Sequence, residues 1–256
     1  MKLMITALLT ASAALASAQF SNDVLHLRDS EVQHNDATGS TLTATNNFPS
    51  SVEFNETGLY AASGYANQHI WNLSANGTSD YAFGATDSWS LSFDLTLSDS
   101  GTDAGALSLD KEAGFWVADP AGSGNAGQFI VKSDGEVAQF GGSLTFHEFY
   151  SANTAGDYQL GTSILMSLAY NGTTGMMTSS ATYNGNEQTF TDATTFAAGY
   201  SVGGYAQYQI TNTLGQANTG DAVFSNIQAA PEPASMAALA LGAVALIRRR
   251  RNSKRF

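Results

Sequence analysis

The chain has 256 residues, 22 acidic against ten basic side chains, and no cysteine. Between residues 19 and 229 the balance is steeper still: that stretch holds every acid except Glu232 but only Arg28, Lys111 and Lys132 of the bases. Such a field repels nucleic acid and anionic membrane surfaces, and the lack of cysteine excludes disulfide staples, thiol catalysis and thiolate metal sites.

The chain start reads as a signal for export. Met1-Lys2 is a short basic opening, Leu3 to Leu15 is an apolar helical core, and Ala16-Ser17-Ala18 is a small-x-small cleavage site. This layout predicts a signal peptide over residues 1–18, cut by signal peptidase, with Ala16 and Ala18 as its recognition residues.

Residues 19–229 are long enough for one domain with a substantial core. The segment from Gln19 to about Tyr81 is irregular, and is expected to supply outer strands and an opening strand that pairs with the last one. From Trp89 to Leu97 (WSLSFDLTL) apolar and polar residues alternate strictly, which predicts a half-buried strand. Further strands are expected at 113–118, 128–132, 136–140, 163–170, 176–183, 200–210 and 222–228. Asp134-Gly135, Asn171-Gly172 and Asn184-Gly185 are read as hairpin turns. No helical period of 3.6 appears between the two ends of the chain.

Many short strands imply a two-sheet sandwich or barrel. The strings SWSLSFDLTL, GFWV, VKSDGEVAQFGG, GTSILMSLAYNG and DAVFSNIQ resemble the pattern of concanavalin A-like and laminin G-like domains. That resemblance implies an all-β, two-sheet antiparallel jelly-roll sandwich. The complete expectation adds an N-terminal signal helix and a C-terminal short transmembrane helix.

Sites are harder to read. No E-x-D-x-x-E string, the carboxylate arrangement of laminarinase-type hydrolases on this scaffold, is present. There is no G-x-S-x-G elbow. His26, His34, His69 and His147 form neither H-x-H nor H-E-x-x-H. Catalytic residues are therefore assigned to none, and no cofactor is expected beyond calcium. Asp99, Asp103 and Asp110 are the candidate calcium ligands, as oxygen donors between two strands. Their loop lacks glycine at the sixth and glutamate at the twelfth position of a helix-loop-helix calcium site. Trp71, Trp89, Trp116, Phe146 and Tyr205 are candidates for stacking on sugar rings, with core packing as the competing role of each.

The chain closes on residues 230–256. Pro231-Glu232-Pro233 is followed by an apolar run over 234–247 and a basic end over 248–256 that opens with Arg248, Arg249, Arg250 and Arg251. As a helix, the run spans roughly 21 Å, short of the ~30 Å hydrocarbon core, and the arginines orient it with its end in the cytoplasm. This order resembles the PEP-CTERM sorting signal of Gram-negative bacteria. The resemblance implies recognition by an exosortase-type processing enzyme. It also implies transient anchoring in the inner membrane and delivery to the cell surface or extracellular matrix. The whole chain is then expected to be an exported structural or glycan-binding sandwich with a polysaccharide partner and no nucleic acid. A carbohydrate-active enzyme on the same scaffold is the alternative.

Overall fold

The computed structural model describes residues 25–28, 40–59, 65–100, 109–118, 127–210 and 218–231. The predicted signal segment, with Ala16 and Ala18, and the predicted membrane segment lie outside the described residues. No helix among the described residues is long and apolar enough to cross a membrane. The described chain forms β1 (Leu25–Arg28), β2 (Thr41–Asn47), β3 (Ser51–Leu59), β4 (Tyr65–Leu73), β5 (Trp89–Ser100), β6 (Leu109–Ala118) and β7 (Gly127–Lys132). It continues with β8 (Val137–Phe140), β9 (His147–Tyr150), β10 (Ser163–Asn171), β11 (Met176–Tyr183), β12 (Asn186–Ala193), β13 (Ser201–Ile210) and β14 (Asn218–Pro231).

These strands make two antiparallel sheets packed face to face, the expected all-β jelly-roll sandwich. The front sheet runs β1-β4-β13-β6-β7-β8-β9 and the back sheet β12-β11-β10-β5-β14-β3-β2. The opening strand β3 does pair with the closing strand β14, whose other neighbour is β5.

The core follows from alternation. Trp89, Leu91, Phe93, Leu95 and Leu97 of β5 all point inward and are fully buried, as are Phe54 of β3 and Phe224 of β14. From the front sheet come Trp71, Phe115, Phe129, Val131, Val202 and Tyr208, also fully buried. Each such side chain contributes about 1.5–3 kcal/mol on burial. The aromatic rings interlock: Phe93 lies 4.3 Å from Phe115 and 5.1 Å from Phe224, centroid to centroid. At one end Trp89 donates its indole N–H to the Tyr200 hydroxyl across 2.8 Å, so the polar atom of a core tryptophan has a partner.

Turn chemistry agrees with the sequence in two places out of three. Tyr183 pairs with Asn186, leaving Asn184 and Gly185 as a two-residue loop with φ of 51° and 76°, the type I′ geometry that Asn-Gly favours. At Asp134-Gly135, Gly135 N–H donates to Lys132 O at 3.0 Å and Lys132 N–H to Glu136 O at 2.8 Å, a three-residue loop with a glycine bulge. The expected Asn171-Gly172 turn is corrected. Asn171 pairs with Met176, so the loop is Gly172–Gly175. Asn171 Oδ1 accepts from Thr173 N–H and Thr174 N–H, each at 3.0 Å, and Gly175 takes the left-handed conformation, φ 66°. Gly172 serves a different purpose: a Cβ there would stand 2.3 Å from Thr86 O.

A cluster of polar groups sits inside the sandwich at β3 and β4. Glu56, on the inward face of β3, accepts from His69 Nε2 at 2.7 Å and from Asn67 Nδ2, and all three residues are buried. Burial alone would raise the Glu56 pKa. The hydrogen bond and charge of His69, with help from Ser40 and Asn67, outweigh it and hold the carboxyl below its usual value.

The alternation of β5 sets a sharp mutational contrast. Leu91→Asp places an unpaired charge in the core and is expected to cost several kcal/mol, about 3–5. Ser92→Asp faces solvent on the back sheet and is expected to stay within about 0.5 kcal/mol. Urea denaturation of the two variants checks this.

Candidate functional site

The outer face of the front sheet turns away from the back sheet, yet it carries a second apolar cluster. Ile70, Ile130 and Tyr205 there are fully buried and Trp116 is 9% exposed, with Ala118 and Phe140 packed beside them. The register shows how distant residues meet. Tyr205 of β13 stands opposite Ile70 of β4 and Gly114 of β6, and Gly114 opposite Ile130 of β7. One step along the strands, Gly203 stands between Asn72 and Trp116, and Trp116 faces Gln128. One step the other way, Gln207 stands between Gln68 and Glu112, and Glu112 faces Lys132. At the edge, β1 places Arg28 opposite Ile70.

Glycine at the two central positions is required by close backbone approach. A Cβ on Gly114 would lie 2.0 Å from Phe129 O, and one on Gly203 1.8 Å from Trp71 O. The rings of Trp116 and Tyr205 flank this bare floor, with centroids 5.4 Å apart and planes tilted by 53°.

The polar groups of the face are partly satisfied. Tyr205 donates its hydroxyl to Glu112 Oε1 at 2.8 Å. Asn72 Nδ2 donates to Asp80 Oδ2 at 2.9 Å and Gln68 Nε2 to Gln207 Oε1 at 3.3 Å. Gln68 Oε1, Asn72 Oδ1 and Trp116 Nε1 are buried without a hydrogen-bond partner in the structure. A buried polar atom left in that state costs about 1–3 kcal/mol, and each of the three is shut off from solvent, so a ligand recovers that energy only where the cover of this face opens. Lys132 is held by Glu136 Oε2 at 2.9 Å and Asp134 Oδ2 at 3.3 Å.

The predicted residues fall into groups. Trp71 and Trp89 are core, as the competing role had it. Trp116 and Tyr205 are brought together in the second buried cluster, on the outer face of the front sheet, so core packing holds for them as well; Phe146 alone is exposed, at the end of the sandwich. Asp99 lies in β5 and Asp110 in β6, strands of opposite sheets, and Asp103 lies outside the described residues. Pro231 is the last residue of β14, whereas Glu232, Pro233 and Arg248–Arg251 lie outside the described residues. Gln68, Asn72, Gly114 and Gly203 were missed. Their one sequence signal is the Gly203-Gly204 pair inside an otherwise regular strand, a mark of close approach.

Comparison with known proteins bears on the tail first. Residues 229–251 match the family model of the PEP-CTERM protein-sorting motif. The chain carries that motif. It is a signal for export with a membrane-anchored, sorted tail. No curated protein sequence matches the chain. Among solved structures the chain is similar to lectin II from Ulex europaeus, at 12% identity and TM-score 0.38, over 82% of this chain and 100% of that one. It is also similar to alginate lyase A1-II′, a member of polysaccharide lyase family-7, at 12% identity and TM-score 0.43, over 79% and 84%. Peanut lectin aligns at 11% identity and TM-score 0.37, over 80% and 97%.

Burial, and then the nearby carboxylate of Glu112, push the Tyr205 phenol well above the usual value of 10.0. Burial does the same for Tyr208. Because the folded pKa values are raised, the stability these phenols confer is complete below pH 10 and is lost as pH rises beyond it. Alkaline titration followed by phenolate absorbance is expected to show a group of tyrosines that ionise only as the protein unfolds. Tyr205→Phe is expected to shrink that group by one.

Proposed function

We propose that the sandwich is a glycan-binding module, and that it binds a neutral, hydroxyl-rich polysaccharide on the outer face of the front sheet. The observation that carries this reading is the Trp116–Tyr205 pair set beside three unpartnered polar atoms. Sugar hydroxyls both donate and accept, so they suit two open acceptors (Gln68 Oε1 and Asn72 Oδ1) and one open donor (Trp116 Nε1). Trp and Tyr are the residues that most often dominate such contacts; with Trp116 9% exposed and Tyr205 fully buried, a sugar meets the edge of Trp116 first and reaches Tyr205 only by displacing what covers it. Neutral glycan is favoured over polyanion because the domain is strongly acidic and Lys132 is already paired. The Tyr205 hydroxyl is already engaged, donating a hydrogen bond to Glu112 Oε1.

The tail fits delivery of this module to the cell surface or matrix after cutting by an exosortase-type enzyme. Arg248–Arg251 hold the cytoplasmic end of a short apolar segment, and Pro231-Glu232-Pro233 marks its outer boundary.

Two measurements test the reading. On a glycan array the purified sandwich is expected to retain neutral polysaccharides, and Trp116→Phe, which removes the indole N–H and keeps an aromatic ring, to weaken retention about tenfold or more, some 1.4 kcal/mol, with far-UV circular dichroism showing the sandwich still folded. Release of reducing or unsaturated sugar by the wild type would identify the enzyme alternative instead. Mass spectrometry of the mature protein from its own host is expected to find Arg248–Phe256 gone; Phe256 still attached would make the tail a lasting anchor.

A further inference from the structure

The sorting motif and the folded sheet share residues. The motif begins at residue 229, while β14 runs to Pro231. Ala229 stands opposite Leu91, Ala230 opposite Ser90 and Pro231 opposite Trp89. Only Glu232 and Pro233 separate the last paired residue from the apolar run that starts at Ala234. Three residue steps of at most about 3.6 Å reach about 11 Å. The headgroup layer on one side of a bilayer is itself roughly 5–8 Å thick.

We propose that, until the tail is removed, the sandwich rests end-on against the headgroups of the inner membrane, with one defined end down. This rests on the reading of residues 234–247 as a membrane segment. With so short a tether the folded body has no room to stand clear of the lipid.

The register fixes which end is down. β14 finishes beside the start of β5 and the end of β10, so the Gly172–Gly175 loop lies there. β3 starts at the same end, which adds the Phe48–Ser50 turn. The Phe83–Tyr200 bridge and the Trp89–Tyr200 hydrogen bond tie the start of β13 to it, and with β13 the end of β6, the start of β7 and the end of β8. The loop from Gly141 to Phe146 therefore lies at this end too, joined to Thr194 by a hydrogen bond from its hydroxyl to Ser143 O.

That loop carries a second, independent pointer to lipid. Phe146 is 64% exposed, more than any other large apolar side chain among the described residues. It immediately precedes β9, whose His147 contacts Asp192 of β12 at 2.6 Å. In the back sheet β12 is four strands from β14, or about 19 Å at the usual strand spacing. The tail and Phe146 thus give two points of support on one surface. Lys132 and Lys111 lie towards the opposite end, whereas Asp80, Asp87 and Asp192 lie at this one. The contact is accordingly held by the tether and by apolar and neutral groups, not by attraction to anionic lipid.

The absence of cysteine allows single thiol labels on the full-length chain. An environment-sensitive dye is placed on Phe146→Cys, Thr173→Cys or, at the far end, Glu187→Cys. Each protein is reconstituted in phosphatidylcholine vesicles that carry headgroup spin-labelled lipid. Quenching is expected to be several-fold stronger at positions 146 and 173 than at 187, and unchanged by high salt. A flexible Gly/Ser spacer of about 20 residues between Pro231 and Glu232 gives about 25 Å of slack and is expected to bring all three positions to the same low quenching. Flotation separates the possible failures. If the full-length chain does not float with the vesicles, the membrane reading of the tail fails and the pose with it. If it floats but positions 146 and 173 are quenched no more than 187, the pose alone is overturned. Quenching at 146 and 173 that survives the spacer overturns the tether as its cause.

Discussion

Trp71, Phe93 and Phe224 meet edge to face at the middle of the sandwich. Centroid distances are 5.9 Å between Trp71 and Phe93, 5.5 Å between Trp71 and Phe224, and 5.1 Å between Phe93 and Phe224. Without a disulfide, this contact between sheets is what fixes the phase of β4, β5 and β14 together. A slip of one residue in any of them would turn its core residues to solvent and its polar residues inward. Everything on the outer faces depends on that phase. Ile70 and Asn72 face outward because Trp71 faces inward, and Tyr205 faces outward because Ala206 and Tyr208 pack in the core.

Strands were legible where alternation was pure and illegible where pairing across the sheets replaced it. From Trp89 to Leu97, β5 has serine, threonine and aspartate on one face and only apolar residues on the other. β3 and β4 were missed as regular strands because Glu56, Asn67 and His69 point inward, where Glu56 accepts from the other two. β12, with sequence NEQTFTDA, offers one large apolar residue, Phe190. It stacks on His147 at 4.1 Å, and the strand is held by its pairing with β11. A test that scores apolar against polar sees neither case.

The tail and the face of the front sheet differ in the same respect. The motif over residues 229–251 is contiguous, so spacing along the chain identifies it. Trp116 and Tyr205 are neighbours only because β6 and β13 pair in one register, and of the two glycines that make room between them only Gly203, doubled by Gly204, carries a signal in the sequence. The aromatic pair was named among the sugar-stacking candidates, but which face it occupied was a property of the register alone.

The position of β14 also has a mechanical meaning. It is an inner strand, bonded to β3 on one side and to β5 on the other, and the tail follows directly on its last residue. Antiparallel hydrogen bonds lie perpendicular to the strands, so a pull along β14 loads them in shear, first on the β5 ladder that holds Gln228–Pro231 and then on both ladders from Ser225 back. A tail hung from an edge strand such as β2 or β12 would have a single ladder to carry the same load. Pro231 has no N–H to donate, which ends β14's own donations at the point where the load enters. The sandwich is thus built to stay folded while its last strand is being pulled.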